Sequence, residues 1–453
     1  MNRLTSKQRK FVYLAGIVLL AVPIMLLGRP SAGQQSAGGK IAQLRQEHGL
    51  GEATLGDVDP SSATMNLVLL GLRGVATNLL WMDAQDASKK KNWGRVRANV
   101  DSIILLQPHY TKVWEFYGWD LAYNVSVEWD AVPDRYFWVK EGAKFTIAGT
   151  KRNQKSADLN YHTGTLFGKK IGRSDEWRQF RQYFRSDPDE QFEGGPDPDL
   201  NRDNEDNYLV AKTWYQAAND RERTNGQHVM ATVLFRQYPA ISMLDYPDAL
   251  QREGKFGDVT RIAWSEGFDF LTDDFGKERF VTEYARNPGV FIEAEPEDVE
   301  AMALENESQP EFIRKDIVSL QQLCNYVSRR ARSRIEATPE MVDAHRNIYE
   351  GQQKFKEGKV NRREIDGEDR PSEAQEQLEL GMRQFDGLFK ANPSLIRNQE
   401  AMEEAIMAVV YWHQIHVLND LAPPEEFPLS YFYARNADLY RELRGQFRRE
   451  NSF

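Results

Sequence analysis

Residues 108–125 read PHYTKVWEFYGWDLAYNV, and the order of bulky, small and helix-ending residues in this stretch decides the fold class. Trp114, Tyr117, Gly118 and Leu121 recur at steps of three and four, which places them on one face of an α-helix. Gly118 removes a side chain from that face, so a second helix can approach closely while Trp114 and Leu121 fill the space beside it. Pro108 stands six residues before Trp114, where its ring ends a preceding helix.

The same period extends in both directions. Val96, Val100 and Ile103 form the apolar face of a helix over 95–106. Downstream, apolar residues recur at helical steps in 111–124, 208–218, 312–335, 341–355, 373–390 and 400–419. Start signals agree with this reading. Thr338 followed by Pro339 is a cap with proline in the first turn, and Ser372 with Gln375 forms a capping box. Leu234 to Phe270 reads as a helix, a turn at Gly254 to Gly257, and another helix. Runs of alternating polarity are missing, so the expected class is all-α.

Composition narrows the possibilities further. Charged residues make up 28% and apolar ones 41% of 453 residues, an ordinary globular balance. The single cysteine, Cys324, excludes an intrachain disulfide and any cysteine-rich metal centre. A net charge of −10 argues against a nucleic-acid partner, which would need a basic face.

With these residues set out, the chain resembles a divergent tetratricopeptide-type repeat protein. Trp114, Gly118 and Leu121 stand where the first helix of such a repeat carries its W-x2-L-G-x2-Y pattern. One repeat length back from Gly118 lies Ala84, again a small residue. A second copy is carried by Gly351 in one helix and by Gly381, Phe385 and Pro393 in the next. The charged insert 358–371 interrupts it. A third, with slipped period, lies at Tyr161 to Phe167 around Gly164. The resemblance implies antiparallel helix pairs stacked as an α-solenoid, with a groove that holds peptides or proteins. The layout is also similar to membrane-anchored proteins of planctomycete-type bacteria, some labelled "iron responsive element". No residue here justifies that label.

The N-terminus sets the expected placement. Residues 1–10 form a basic leader with Arg3, Lys7, Arg9 and Lys10. Residues 11–28 are uncharged and mostly apolar, and 18 helical residues span roughly 27 Å, close to the bilayer core. The expectation is one transmembrane helix in the cytoplasmic membrane, the N-terminus inside and the body on the outer face. A cleaved signal peptide is the competing reading. Residues 29–60 read as a tether, 61–185 as repeats, 207–292 as a helical middle segment and 312–453 as a second repeat-like segment. Between them, 186–206, with nine acids against Arg202 alone, and the acid-rich 293–311 read as exposed loops or linkers. The apolar run 65–82 contains Arg73 and reads as a buried soluble helix.

Residues able to carry chemistry are few. His413, His416 and Asp420 are spaced to share a helix face, a weak metal set without an evident further ligand. Asp197, Asp199, Asn201 and Asp203 alternate like the start of a calcium loop, but Arg202 replaces its glycine and Tyr208 its closing glutamate. Residues 164–170, GTLFGKK, have the wrong spacing for a phosphate loop. Cys324 reads as a small buried hydrophobe, and Arg329, Arg330, Arg332 and Arg334 as partners of a helix end and of the acidic segments, with an anionic partner as the minority reading.

Residues 110–138 hold ten aromatics. Trp114 and Tyr117 face the core, whereas Trp119, Tyr123, Trp129 and Trp138 are the candidate binding residues. The resulting expectation is a non-enzymatic scaffold that captures a protein or peptide and needs no cofactor. An all-helical metal protein or enzyme, and a structural subunit of a membrane complex, are the alternatives.

Overall fold

The computed structural model describes residues 73–226, 230–393 and 395–451, with ten positions between residues 8 and 23. The expected tether and most of the expected membrane helix lie outside the described residues. Among the described residues no helix is long and apolar enough to cross a membrane.

The described chain is helical, in two compact units. The first comprises Met1–Asn204 and Asp220–Gln227, the second Glu205–Asn219 and His228–Phe453. In the first, helices α1 (Arg73–Lys89), α2 (Trp93–Leu106), α3 (Thr111–Trp119), α4 (Val132–Arg152), α5 (Ala157–Thr165) and α6 (Trp177–Arg185) follow one another. Asn92 caps α2 and Ser156 caps α5, each accepting a hydrogen bond from a free first-turn N–H. Val96, Val100 and Ile103 pack with Val113, Trp114, Tyr117, Leu121 and Leu159, so the two faces read in the sequence form one core.

Helix α7 (Asn207–Asn225) leads into α8 (Thr232–Arg236), α9 (Tyr238–Arg252), α10 (Asp258–Asp269), α11 (Pro296–Glu305), α12 (Pro310–Leu323) and α13 (Tyr326–Glu336). Then come α14 (Pro339–Lys356), α15 (Glu373–Ala391), α16 (Gln399–Leu418), α17 (Ser430–Arg435) and α18 (Ala437–Asn451). Two apolar clusters of described residues lie in the second unit. One, from Val233 to Tyr326, includes Phe275, Phe280, Ile313 and Ile317. The other, from Met341 to Phe447, includes Leu378, Phe385, Phe389, Trp412 and Phe432. Thr338 and Ser372 cap α14 and α15 as their positions require.

Several expectations are corrected. The helix expected over 312–335 is two helices, because Asn325 adopts φ 53° and turns the chain between α12 and α13. Cys324 therefore closes a helix instead of lying inside one. The segment 293–311 contains α11, whose start is held by a reciprocal capping box between Glu295 and Asp298 behind Pro296. The segment 186–206 is a loop of turns that is exposed at most positions, but it is anchored, for Asp187, Asp197, Asn201 and Asp206 are buried. Two lysines of α4 meet two of its buried acids. Lys140 Nζ lies 2.7 Å from Asp187 and Lys144 Nζ 2.8 Å from Asp197. The insert 358–371 contains a hairpin of β1 (Arg363–Ile365) and β2 (Glu368–Arg370), closed by Asp366 and Gly367, both at positive φ.

Candidate functional site

The candidate site is built where α3 changes its winding. Gly118 and Gly142 bring α3 and α4 into backbone contact. A Cβ on Gly142 would stand 2.5 Å from the Gly118 carbonyl oxygen, and one on Gly118 would stand 2.2 Å from Thr146 Oγ1. Trp114 packs alongside, its ring 4.8 Å from Phe145, and its indole N–H donates to the Pro108 carbonyl at 3.0 Å. Beyond Trp119 the helix widens into a π-helical turn, Asp120–Val125, in which the Ser126 N–H reaches back five residues to Leu121. A second such turn, Leu166–Ile171, continues α5. Turns of this kind carry an extra residue and persist where something other than helix stability holds them.

Each π turn presents one side chain of interest. Tyr123 comes from the first and stacks on Trp119, with ring centres 5.0 Å apart and planes 16° from parallel. Lys170 comes from the second, and its ammonium sits 5.0 Å over the Tyr123 ring and 5.8 Å over that of Phe180. Lys170 is only 5% exposed and has neither hydrogen bond nor ion pair among the described residues. The nearby Glu176 carboxylate is held by Arg135 instead. Burial lowers the Lys170 amine from its ordinary range, with Glu176 opposing in part. Burial pushes the Tyr123 phenol up to about 12, so it stays protonated at neutral pH.

The other aromatic candidates form a second group. Trp129 and Trp138 lie 6.2 Å apart, and Phe137 meets Trp138 edge to face at 5.4 Å. Trp119, Trp129 and Phe137 are 47%, 44% and 46% exposed, whereas Tyr123 and Trp138 are half-buried. Exposed aromatic area of this kind is what partner binding uses.

The residues read as repeat markers are placed as follows. Ala84 is buried in α1. Gly351 meets Leu378, and Gly381 meets Ile348, at Cβ distances of 2.6 Å and 2.7 Å, so α14 and α15 touch along their backbones. Phe385 is fully buried and packs on His345, while Pro393 lies exposed in the turn after α15.

The weak metal set does not converge. His413 Nδ1 is 2.9 Å from Tyr440 Oη, and His416 Nδ1 is 2.9 Å from the Trp412 carbonyl. Asp420 lies beyond the end of α16 at φ 54°, off the helix face on which the spacing put it. Burial, with His416 and Arg444 adding, lowers His413 to about 4. Among the described residues no group of three His, Cys, Asp or Glu is arranged to hold a metal. In the calcium-like stretch, Asp197 is engaged by lysine and Asn201 donates to the Phe184 carbonyl.

One polar cluster in the second unit has no sequence signature. His345 of α14 places Nε2 at 2.7 Å from Glu336 and Nδ1 at 2.7 Å from Glu404. Arg332 bonds Asp248 at 2.9 Å and Glu336 at 3.2 Å, pairs with Glu400, and lies 5.1 Å over the Trp264 ring. Burial opposes the charge on His345, but the two carboxylates outweigh it and raise the imidazole to about 10. Glu336 is lowered to about 2, since His345 and Arg332 outweigh a burial that alone would raise it. Three of the four arginines that crowd α13 are thus engaged internally: beside Arg332, Arg330 bonds Glu293, and Arg329 bonds Gln237 and the Cys324 carbonyl, whereas Arg334 is exposed.

Glu336, His345 and Glu404 belong to three helices, so no spacing rule links them in the sequence. Lys170 was visible only as part of a failed phosphate-loop match. Its burial depends on two turns whose π winding leaves no mark that periodicity detects.

No family model matches this chain, and neither the curated proteins nor the solved structures include a significant match to it.

Proposed function

We propose that this protein is a non-enzymatic helical scaffold that binds a protein or peptide partner through the aromatic surface of its first unit. The observation that carries the reading is the Trp119–Tyr123 stack, half in solvent, with exposed Trp129 and Phe137 in the same unit. Flat aromatic rings supply large contact area at small entropic cost, and Trp and Tyr dominate binding energy at protein interfaces.

The tetratricopeptide-type solenoid belongs to the same proposal. The backbone contacts of α3 with α4 and of α14 with α15 support helix pairs of that kind. A membrane anchor at 11–28 is part of the same proposal. What supports it is the uncharged, mostly apolar run itself, long enough to span a bilayer core as a helix, in which Phe11 and Leu19 are exposed. Anchoring in the cytoplasmic membrane, with the body on the outer face, would then present the aromatic surface to partners there.

Affinity purification of the full chain beside a Trp119→Ala, Tyr123→Ala variant tests the binding reading. At least one partner recovered with the full chain should be depleted tenfold or more by the variant, as loss of about 1.4 kcal/mol implies. Equal recovery with both sinks the proposal. An alkaline wash of membranes tests the anchor, since the full chain should resist extraction and a chain lacking residues 1–28 should not.

A further inference from the structure

Lys170 carries a chemistry that peptide binding does not use. Most buried lysines meet a carboxylate, as Lys140 meets Asp187 in this same unit. Lys170 meets only ring faces, those of Tyr123 and Phe180. Of the two carboxylates that act on it, Asp175 makes no ion pair with it and Glu176 is committed to Arg135. Burial makes the ammonium costlier than in water, so the share of neutral amine rises, and the neutral amine is the nucleophile. Backbone widening at both π turns holds the group where it is. Trp119 forms the outer wall and stands half in solvent, so turning it away opens a path along Tyr123.

We propose that Lys170 is a covalent binding site for a carbonyl compound with a flat aromatic body, formed as an imine. The amine nitrogen bonds to the carbonyl carbon, and a proton moves through solvent from nitrogen to oxygen to give the carbinolamine. The C–O bond then breaks, one water leaves, and the C=N bond forms, with no change in oxidation state. The aromatic body takes the place of the Trp119 ring against Tyr123 when Trp119 turns away. The groups that set the amine's protonation are Tyr123 of the first π turn, Arg135 of α4, and Asp175 and Glu176 before α6. This site stands or falls independently of the peptide reading.

The test is reductive trapping of the full chain with benzaldehyde and cyanoborohydride near neutral pH, followed by peptide mass mapping. The labelling rate of Lys170 is compared with that of exposed Lys90 and Lys91. Lys170 should be labelled severalfold faster, and faster still in a Trp119→Ala variant, while Lys170→Arg removes the adduct from that peptide. Labelling faster than Lys90 in either the full chain or Trp119→Ala supports the site. A rate no higher than that of Lys90 in both proteins overturns it.

Discussion

At the residue scale, His345 shows how a buried charge governs stability. Its imidazolium donates to Glu336 and Glu404 at the same time. The folded state raises it to about 10 from an ordinary 6.5. A raised group holds its proton more tightly when folded, so its contribution is complete below about pH 6.5 and is lost as pH rises towards 10. Glu336 acts in the opposite sense. Lowered from 4.5 to about 2, it contributes above about pH 4.5 and loses that contribution as pH falls further. Urea unfolding should therefore show the largest contribution from this pair between about pH 4.5 and 6.5. His345→Asn should cost roughly 3–5 kcal/mol at pH 6, because it leaves buried carboxylate short of a counter-ion. The cost should shrink on moving to pH 9.5, and an equal loss at both values would refute the charged reading. Lys140→Met, which strands Asp187, should likewise cost roughly 3 kcal/mol in the first unit, measured by the same titration.

At the element scale, the α3–α4 contact is the most exacting. Gly142→Ala sets a methyl against the Gly118 backbone, which moves only if the helices part. The expected cost is about 1–3 kcal/mol in thermal or urea unfolding. Gly118→Ala meets chiefly the Thr146 hydroxyl, so adding Thr146→Ala should restore part of its loss, whereas it should do nothing for Gly142→Ala. The hairpin between α14 and α15 obeys a purely local rule. Asp366 and Gly367 both take positive φ, and an Asp-Gly pair is the strongest short signal for such a turn. Its strands are three residues each and charged, which hid them from a search for apolar alternation. The same applies to α11: composition marked 293–311 as acidic, while Pro296 and the Glu295–Asp298 box mark a helix start.

At the scale of the molecule, each unit carries its own apolar core, and buried carboxylates in each meet cations, as Asp187 meets Lys140 in the first and Glu336 meets Arg332 in the second. The His345 cluster lies wholly in the second unit, and Lys140 with its two aspartates wholly in the first. Raising the pH from 6 to 9.5 should therefore loosen α13, α14 and α16 more than α3 and α4. Amide exchange corrected for intrinsic rate reads this directly, and uniform loss of protection across both units would contradict it.

Periodicity, capping residues and proline positions by themselves determined that the chain is helical, where several helices begin, and that Gly118, Gly351 and Gly381 lie at buried faces. Those properties depend on neighbours within a turn or two, and the sequence displays such neighbours side by side. Tertiary structure alone decided which charges are buried together, that Lys170 has no counter-ion among the described residues, that Asn325 divides a long helix, and that two acids of an acidic stretch are buried against two lysines. Each of these depends on groups tens of residues apart meeting in a medium of low dielectric, where an ion's cost or benefit is set by the partner that packing brings to it.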